Sequence, residues 1–275
     1  MKATTIRLIT RCALGAALFI TAAGATAQQE ATQPVIHDGE RLTFSVRSSR
    51  FGDMGQATMR VDADTTGGRA AYRLSFDFSA KVMLFKVSDR TRSWLDAGTL
   101  TTLRYCKTER SPVARFDEDV RVMPTLGQWS DGRRTYLLGS RMPLDELAFI
   151  YFVRGAAHSM DGDAITVARH FDEDRNPIRL TTRGDVKVSA LGDSVVARVI
   201  EMEARDARQK NGTTRMTFYI GTDEASLPLR IDTSMPVAGN LTMTLTSVVP
   251  GTRVRERITA MSRSDVEESA RGGQD

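Results

Sequence analysis

Apolar and polar residues alternate along most of the chain after residue 38. A period of two predicts antiparallel strands that bury one face and expose the other. The clearest alternating runs begin at Leu42, Ala57, Tyr72, Met216 and Leu241. Turn-forming pairs such as Gly67-Gly68 and Asn211-Gly212 separate the runs. The pattern predicts an all-β fold, in which one large antiparallel sheet curls into a barrel or half-barrel.

One segment, from Pro143 to Arg154, breaks this alternation. Pro143 suits the first position of a helix, and Asp145 and Glu146 suit its first turn. Arg154, followed by Gly155, indicates where the helix ends. The middle of the segment is apolar on almost every helical face, which is typical of a helix buried on most sides. We therefore expect a helix near 143–154 that lies against or inside the concave face of the sheet.

The composition is that of an ordinary globular domain. The chain has 275 residues, of which 41% are hydrophobic and 26% charged, enough to bury a core without disulfides or metals. The net charge of +4 would favour a nucleic-acid partner, but Lys2, Arg7 and Arg11 lie in an N-terminal segment without acidic residues. Removing those three residues lowers the net charge to about +1, so no nucleic-acid partner is expected.

The first 27 residues have the pattern of an export signal. The basic start precedes a short apolar stretch, Cys12–Ala23, and the small-x-small sequence Ala25-Thr26-Ala27. This pattern predicts cleavage after Ala27 and a periplasmic location. The stretch is too short to span a bilayer, and no transmembrane segment is expected elsewhere. We divide the chain into a signal peptide (1–27), one β-rich domain (28–261) and a tail without periodicity, expected to be disordered (262–275).

Residues that commonly carry catalysis or hold metals are few. Cys106 loses its only possible partner with the signal peptide, and it suits a small apolar position within a strand. His37, His158 and His170 lie far apart, and none stands at metal-ligand spacing from another. The common nucleotide-binding and hydrolase motifs are also missing. The sequence therefore predicts no catalytic residue, no cofactor and no metal.

An acidic loop resembles the start of a calcium-binding loop. Asp172, Asp174 and Asn176 occupy the first three ligand positions of such a loop. Pro177 then stands where the loop requires glycine, and Arg183 stands where it requires a bidentate glutamate. We expect a solvated hairpin turn here instead of a calcium site.

Large apolar side chains could line a ligand cavity. The candidates are Phe76, Phe78, Trp94, Phe149, Tyr151, Phe152 and Met243. Each of them could instead fill the hydrophobic core, and the sequence leaves both interpretations open.

An ordered set of segments carries a family resemblance. The segments are 39–46, 55–57, 87–96, 99–100, 143–154, 219–223, 227–231 and 239–241. In their order and spacing they resemble the bacterial exported family Domain of Unknown Function 3108, over roughly residues 38 to 250. The resemblance implies an exported β-rich protein, and it assigns no catalytic or binding residue.

Three functions are compatible with these features. By analogy of fold, we favour a non-enzymatic periplasmic cell-envelope protein that binds or carries an apolar ligand such as a lipid. The alternative is a structural or assembly factor that docks to an envelope protein through a sheet edge. A carboxylate-based hydrolase is the weakest hypothesis. Asp117, Glu118 and Asp119 alternate faces on a strand, so only Asp117 and Asp119 could act together.

Overall fold

The computed structural model describes residues 32–82, 85–111, 115–160, 164–205, 212–235 and 238–253. The predicted signal peptide with its cleavage site and the predicted tail at 262–275 lie outside these residues.

The described residues form strands and one α-helix. The strands are β1 (His37–Asp38), β2 (Arg41–Ser48), β3 (Gly52–Thr66), β4 (Arg69–Val82), β5 (Phe85–Asp96), β6 (Thr102–Arg110), β7 (Arg115–Met123), β8 (Gln128–Ser130), β9 (Thr135–Leu137), β10 (Ala164–Val167), β11 (Ile178–Ala190), β12 (Asp193–Arg205), β13 (Thr213–Gly221), β14 (Pro228–Met235), β15 (Gly239–Val249) and β16 (Thr252–Arg253). The helix, α1, spans Glu146–Ser159, and short 3-10 turns occupy Pro124–Leu126 and Glu173–Arg175.

Fourteen of the strands form one antiparallel sheet in the order β10-β11-β12-β13-β14-β15-β2-β3-β4-β5-β6-β7-β8-β9, and β1 pairs with β16. Nearly all neighbours in the sheet are also neighbours along the chain, as in a meander. Among the described residues, β10 and β9 have no strand on their outer sides, so the sheet stays open. The predicted all-β fold is confirmed in its half-barrel form.

The sheet curls because it must cover α1. The helix contacts β4 and β5 in one half of the sheet and β12 and β13 in the other half. The curl also brings the turn after β11 to β15, where the Leu191 amide donates a hydrogen bond to the Leu245 carbonyl (3.0 Å). Sheet and helix thus enclose the main hydrophobic core, and Tyr105, Val120, Val122 and Phe171 form a second, smaller cluster.

The helix is shifted towards the C-terminus relative to its predicted position. Pro143 precedes the helix. Its carbonyl accepts a hydrogen bond from the Thr102 amide, and the Leu144 amide donates one to the Arg169 carbonyl, so this part of the chain is extended. Asp145 is the N-cap, with its carboxylate accepting bonds from the helix's first amides. The predicted range of 143–154 is therefore wrong at both ends.

Gly155 does not end the helix, which continues to Ser159. It is instead the position at which another segment of the chain packs closely against the helix. Residues 32–36, which we call the N-terminal strap, cross α1 at this position, where the Val35 amide donates to the Tyr151 carbonyl (2.9 Å). A Cβ atom at residue 155 would lie 2.4 Å from the Gln33 carbonyl oxygen. Ile36, the last residue of the strap, is buried in the same core as the helix. The helix is apolar all round because the sheet covers one side and the strap another.

Substitution Gly155→Ala tests this crossing. Alanine at an unobstructed helical position would stabilise by about 1 kcal/mol. Here the added methyl group meets backbone, so we expect a loss of about 2–3 kcal/mol in the free energy of unfolding. Urea denaturation measures this difference. A variant as stable as the wild type would show that the strap does not pack as described.

Candidate functional site

The predicted ligand-lining residues divide between core and surface. Phe149, Tyr151 and Phe152 are completely buried in the core around α1, and Met243 is buried with them. Phe76 and Phe78 pack against the same core but remain partly exposed. Since α1 fills the centre of the sheet, these two phenylalanines mark where its inward face becomes accessible.

Trp94 lies on the other face of the sheet. Its neighbour Leu95 is fully buried in the core, and successive residues of a strand point to opposite faces. The Trp94 indole Nε1 donates to the Asp64 Oδ2 atom (3.0 Å), and the Arg104 guanidinium lies 5.2 Å from the ring centroid. Trp94 therefore belongs to a polar outer network and is separate from the other predicted residues.

Arg154 is a buried structural residue in the middle of α1. Its guanidinium forms a two-pronged ion pair with Glu40 (2.7 and 3.0 Å) and donates to the Ala225 and Ser226 carbonyls. Burial opposes ionisation of Glu40, but a bond from His37 and the charge of Arg154 hold the pKa of that carboxyl below its ordinary value. The prediction that Arg154 ends the helix is thus replaced by a role inside the core.

The inward face of β4 to β7 changes from apolar to charged beyond the helix. The last fully buried row across these strands consists of Leu74, Ser93, Tyr105 and Val120. The next row consists of Phe76, Thr91, Lys107 and Glu118, and the one after it of Phe78, Asp89, Glu109 and Phe116. Directly paired residues share a face of the sheet. The last two rows therefore form one surface, which we call the amphipathic patch.

Charged side chains occupy the middle of the amphipathic patch and aromatic rings lie at its margins. The Lys107 Nζ atom lies 2.6 Å from Glu109 Oε1 and 3.9 Å from Asp89 Oδ2. Burial opposes the charge on Lys107, but Asp89, Glu109 and Glu146 raise its pKa above the ordinary value. Burial also raises the pKa of Asp89, whose Oδ1 atom accepts a bond from Thr91 (3.0 Å).

Glu146, in the first turn of α1, adds a carboxylate beside the patch. Its Oε1 atom pairs with Arg175 (2.6 Å), and its carboxylate also interacts with the Tyr105 hydroxyl. Burial opposes ionisation, but the charges of Arg175, His170 and Lys107 lower the pKa of Glu146 to about 2. Glu146 is therefore a carboxylate at neutral pH.

Two further buried groups lie where α1 meets the patch. The Asp145 carboxylate accepts bonds from the Leu147 and Ala148 amides and from the Thr102 hydroxyl, and burial raises its pKa to about 6. Tyr105 is fully buried, and its hydroxyl interacts with the Glu146 carboxylate. Burial, with the charge of Glu146, raises the pKa of Tyr105 well above its ordinary value, so this hydroxyl keeps its proton.

The amphipathic patch was not evident from the sequence. Three of its charged members, Asp89, Lys107 and Glu109, stand at alternate positions that continue the inward faces of β5 and β6. The feature of the sequence that indicates the patch is a change from uncharged to charged residues at the inward positions of β5 and β6. It could not be interpreted without the strand register, which places Asp89 opposite Glu109.

Of the acidic residues proposed for a hydrolase, Asp117 and Asp119 point away from the patch, whereas Glu118 lies in it. Asp117 pairs with Arg110 (2.6 Å) and Asp119 with Arg104 (2.8 Å) on the exposed face. Cys106 lies on the same face, and burial together with Asp119 raises the pKa of its thiol to about 11. Ion pairs thus neutralise both carboxylates.

The acidic loop forms a 3-10 turn at Glu173–Arg175, where a hairpin turn was expected. Asp172 caps this turn, and the Asn176 side chain bonds the backbone of His170, which fixes the loop against the core. Within the described ranges, no group of three or more His, Cys, Asp or Glu side chains is arranged to hold a metal ion. No helix in the described part of the chain is long and apolar enough to cross a membrane.

Sequence comparison identifies the family. The profile of the family described as "Protein of unknown function (DUF3108)" matches residues 41–246, about three quarters of the chain. The chain belongs to this family. The resemblance noted in the ordered sequence segments is thereby confirmed. No curated protein matches the sequence.

Two solved structures resemble this member of the DUF3108 family. One is the beta-barrel-like protein of domain of unknown function DUF1849 from Brucella abortus, with a TM-score of 0.52, 10% identity, and coverage of 78% of this chain and 99% of that chain. The other, described as an exported protein with a YmcC-like fold from Bacteroides fragilis, has a TM-score of 0.28 at 10% identity and covers 79% of this chain and 98% of that one. The first similarity supports the barrel-like fold.

The low pKa of Glu146 gives a pH-dependent contribution to stability. A carboxyl whose pKa falls from 4.5 to about 2 on folding stabilises the protein above pH 4.5, and this contribution is lost as the pH falls through about 2. We expect Glu146→Gln to lower the free energy of unfolding by about 1 kcal/mol at pH 7, because the side chain is partly solvated. The loss should shrink steadily between pH 4.5 and 2.

Urea denaturation over this pH range measures the effect. Glu201→Gln, in the exposed ion pair with Arg183, serves as the control and should change stability little. A loss in Glu146→Gln that stays constant with pH would contradict the assignment.

Proposed function

We propose that the protein is exported to the periplasm and binds an amphipathic ligand, such as a lipid, on the amphipathic patch without transforming it. The signal-like first 27 residues support export. The observation that carries the binding proposal is the patch itself. There, the partly exposed rings of Phe76 and Phe78 lie in the same rows of the inward face as the charged pair of Lys107 and Glu109.

The filled core supports this location for the ligand. Phe149 and Phe152 are at most 1% exposed, so the centre of the sheet is occupied by α1. Phe149 and Phe152 therefore fill the core, and we place the ligand beside the helix N-terminus. The apolar part of the ligand would lie along Phe76 and Phe78 of β4. Its polar end would reach the charged side chains of β5 and β6.

The state of the charged side chains supports binding without catalysis. Lys107 is held as an ammonium by its acidic neighbours, and Glu146 as a carboxylate by its basic ones. Neither has the pKa near neutrality that favours proton transfer at neutral pH. Asp145, whose pKa is about 6, is fully buried, and its carboxylate accepts bonds from the Thr102 hydroxyl and two helix amides. These charges are suited to recognising a polar group.

A double substitution tests the binding proposal. We expect Phe76→Ala combined with Phe78→Ala to weaken binding of decyl glucoside, an uncharged amphiphile, by at least about tenfold, because two rings that would cover the alkyl chain are lost. Calorimetric titration below micelle formation measures the affinity. Trp94→Phe, on the opposite face, is the matched control and should bind as the wild type does. Equal affinity in the double variant and the wild type would place binding elsewhere.

A sheet edge favours the second candidate, docking to a protein partner. The edge strand β9 carries Leu137, which is 81% exposed, and Leu126 nearby is 66% exposed. The stacked rings of Trp129 and Tyr136, 4.4 Å apart, stiffen this edge. An extended peptide could add to β9 through backbone bonds. This candidate is separable from the first, since none of these residues belongs to the amphipathic patch.

A further inference from the structure

Alternate strand connections of an antiparallel meander lie at the same end of the sheet. The last residues of β2, β4, β6 and β12 and the first residues of β3, β5, β7 and β13 therefore lie at one end of the half-barrel. We call this end the rim and define it by residues 47–53, 86–87, 115–116 and 205. The amphipathic patch reaches the rim, because Phe116 of its outer row directly follows Arg115 at the start of β7.

Exposed basic side chains stand around the rim. They are Arg47 in β2, Lys86 in β5, Arg115 in β7 and Arg205 in β12. Within the described ranges, none of these four side chains lies within ion-pair distance of a carboxylate. Further from the rim, by contrast, Arg92 pairs with Asp77 and Arg104 with Asp119. The cations of the rim are therefore accessible to an outside partner.

The carboxylates near the rim do not cancel this positive charge. Asp53 stands opposite Arg47 in the strand pairing, and its Oδ1 atom accepts a bond from the Gly55 amide (2.8 Å). The carboxylates further along the same strands are held in ion pairs: Glu109 with Lys107, Asp117 with Arg110 and Glu203 with Arg215. One exposed carboxylate thus faces four exposed cations among the described residues of the rim.

An exposed aromatic ring lies among these cations. Phe51, in the turn between β2 and β3, is 39% exposed, and its amide donates to the Ser48 Oγ atom (3.1 Å). Val87 and Phe116, on the inward side of the rim, are half-buried. A protruding apolar side chain surrounded by basic residues is typical of surfaces that bind the interface of an anionic bilayer.

Turns at the opposite end of the half-barrel carry the opposite charge. Asp193 stands at the turn between β11 and β12, and Asp223 and Glu224 stand between β13 and β14. All three residues are exposed. An anionic surface would attract the rim and repel these turns, so the charge distribution favours an end-on orientation with the rim towards that surface.

We propose that the rim docks against a bilayer surface that contains anionic lipids. The basic side chains would contact the lipid headgroups, and Phe51 would insert between them. This inference goes beyond the proposed function, because it names a surface on which the protein docks, where the adjoining amphipathic patch would meet its ligand. An acidic protein would be attracted by the same charges but would offer no lipid phase for Phe51.

Vesicle flotation with the full mature chain tests the proposal. One set of vesicles is phosphatidylcholine alone, and in the other set every third lipid is phosphatidylglycerol. We expect the anionic vesicles to bind at least about tenfold more tightly, and this preference to fall as salt is raised from about 0.05 M to about 0.5 M. Deca-glutamate, a soluble polyanion without acyl chains, should not displace the protein from the vesicles at an equal concentration of negative charge.

Charge-neutralising variants locate the contact. Arg47→Gln, Lys86→Gln and Arg115→Gln together should weaken binding to the anionic vesicles by about a hundredfold. The matched control removes two arginines and one lysine from exposed positions towards the other end: Arg41→Gln, Lys187→Gln and Arg253→Gln. The control should change the affinity by less than about threefold. Phe51→Ala should weaken binding to both kinds of vesicle.

Each contrary result has a definite meaning. The proposal is overturned if the anionic vesicles bind no more tightly than phosphatidylcholine, if the rim variant binds them as the wild type does, or if the control variant loses as much affinity as the rim variant. Displacement by deca-glutamate would also overturn it, in favour of an acidic protein partner. The affinity for decyl glucoside is measured separately, so its absence would contradict the proposed function and leave the docking result intact.

Discussion

The structure depends on covering a helix that is apolar around its whole circumference. Burial of one Phe side chain contributes roughly 1.5–3 kcal/mol, so Phe149 and Phe152 cannot face water without a large loss of stability. An open sheet covers only one side of such a helix. Curling brings β4 and β5 to one side and β12 and β13 to another, and the N-terminal strap crosses at Gly155. The sheet therefore curls into a half-barrel around the helix.

The buried ion pair between Arg154 and Glu40 joins these layers. It connects α1 to the residue that precedes β2, and Arg154 also donates hydrogen bonds to the Ala225 and Ser226 carbonyls. Loss of one partner from such a pair typically costs about 3–5 kcal/mol, because the other charge stays buried. Since the helix is fixed in this way, its N-terminus is fixed too. Glu146 is thereby held beside the inward charges of β5 and β6, which makes the amphipathic patch a consequence of the core.

Local patterns predicted the fold better than the site. Alternation such as that of Leu241, Met243 and Leu245 identified strands, and the apolar helix was found because no exposed helix has such a sequence. The C-terminal end of the helix was misplaced because Gly155 is required for packing against the strap and does not end the helix. That contact involves residues distant in the chain, so the local sequence could not indicate it. Trp94 and the patch depended on strand register. Register decides which face a side chain takes, and alternation alone fixes it only where one face is clearly apolar.

Native-state hydrogen exchange of the amides at 149–153 tests most directly whether α1 is a permanent part of the core. Amides in a core helix exchange only when the whole domain unfolds, whereas those of a mobile lid exchange through local opening. We predict that the free energy of exchange for these amides equals the free energy of unfolding from urea denaturation, with and without decyl glucoside. Exchange at a much lower free energy, or protection that appears only with the amphiphile, would contradict this account and make α1 a lid.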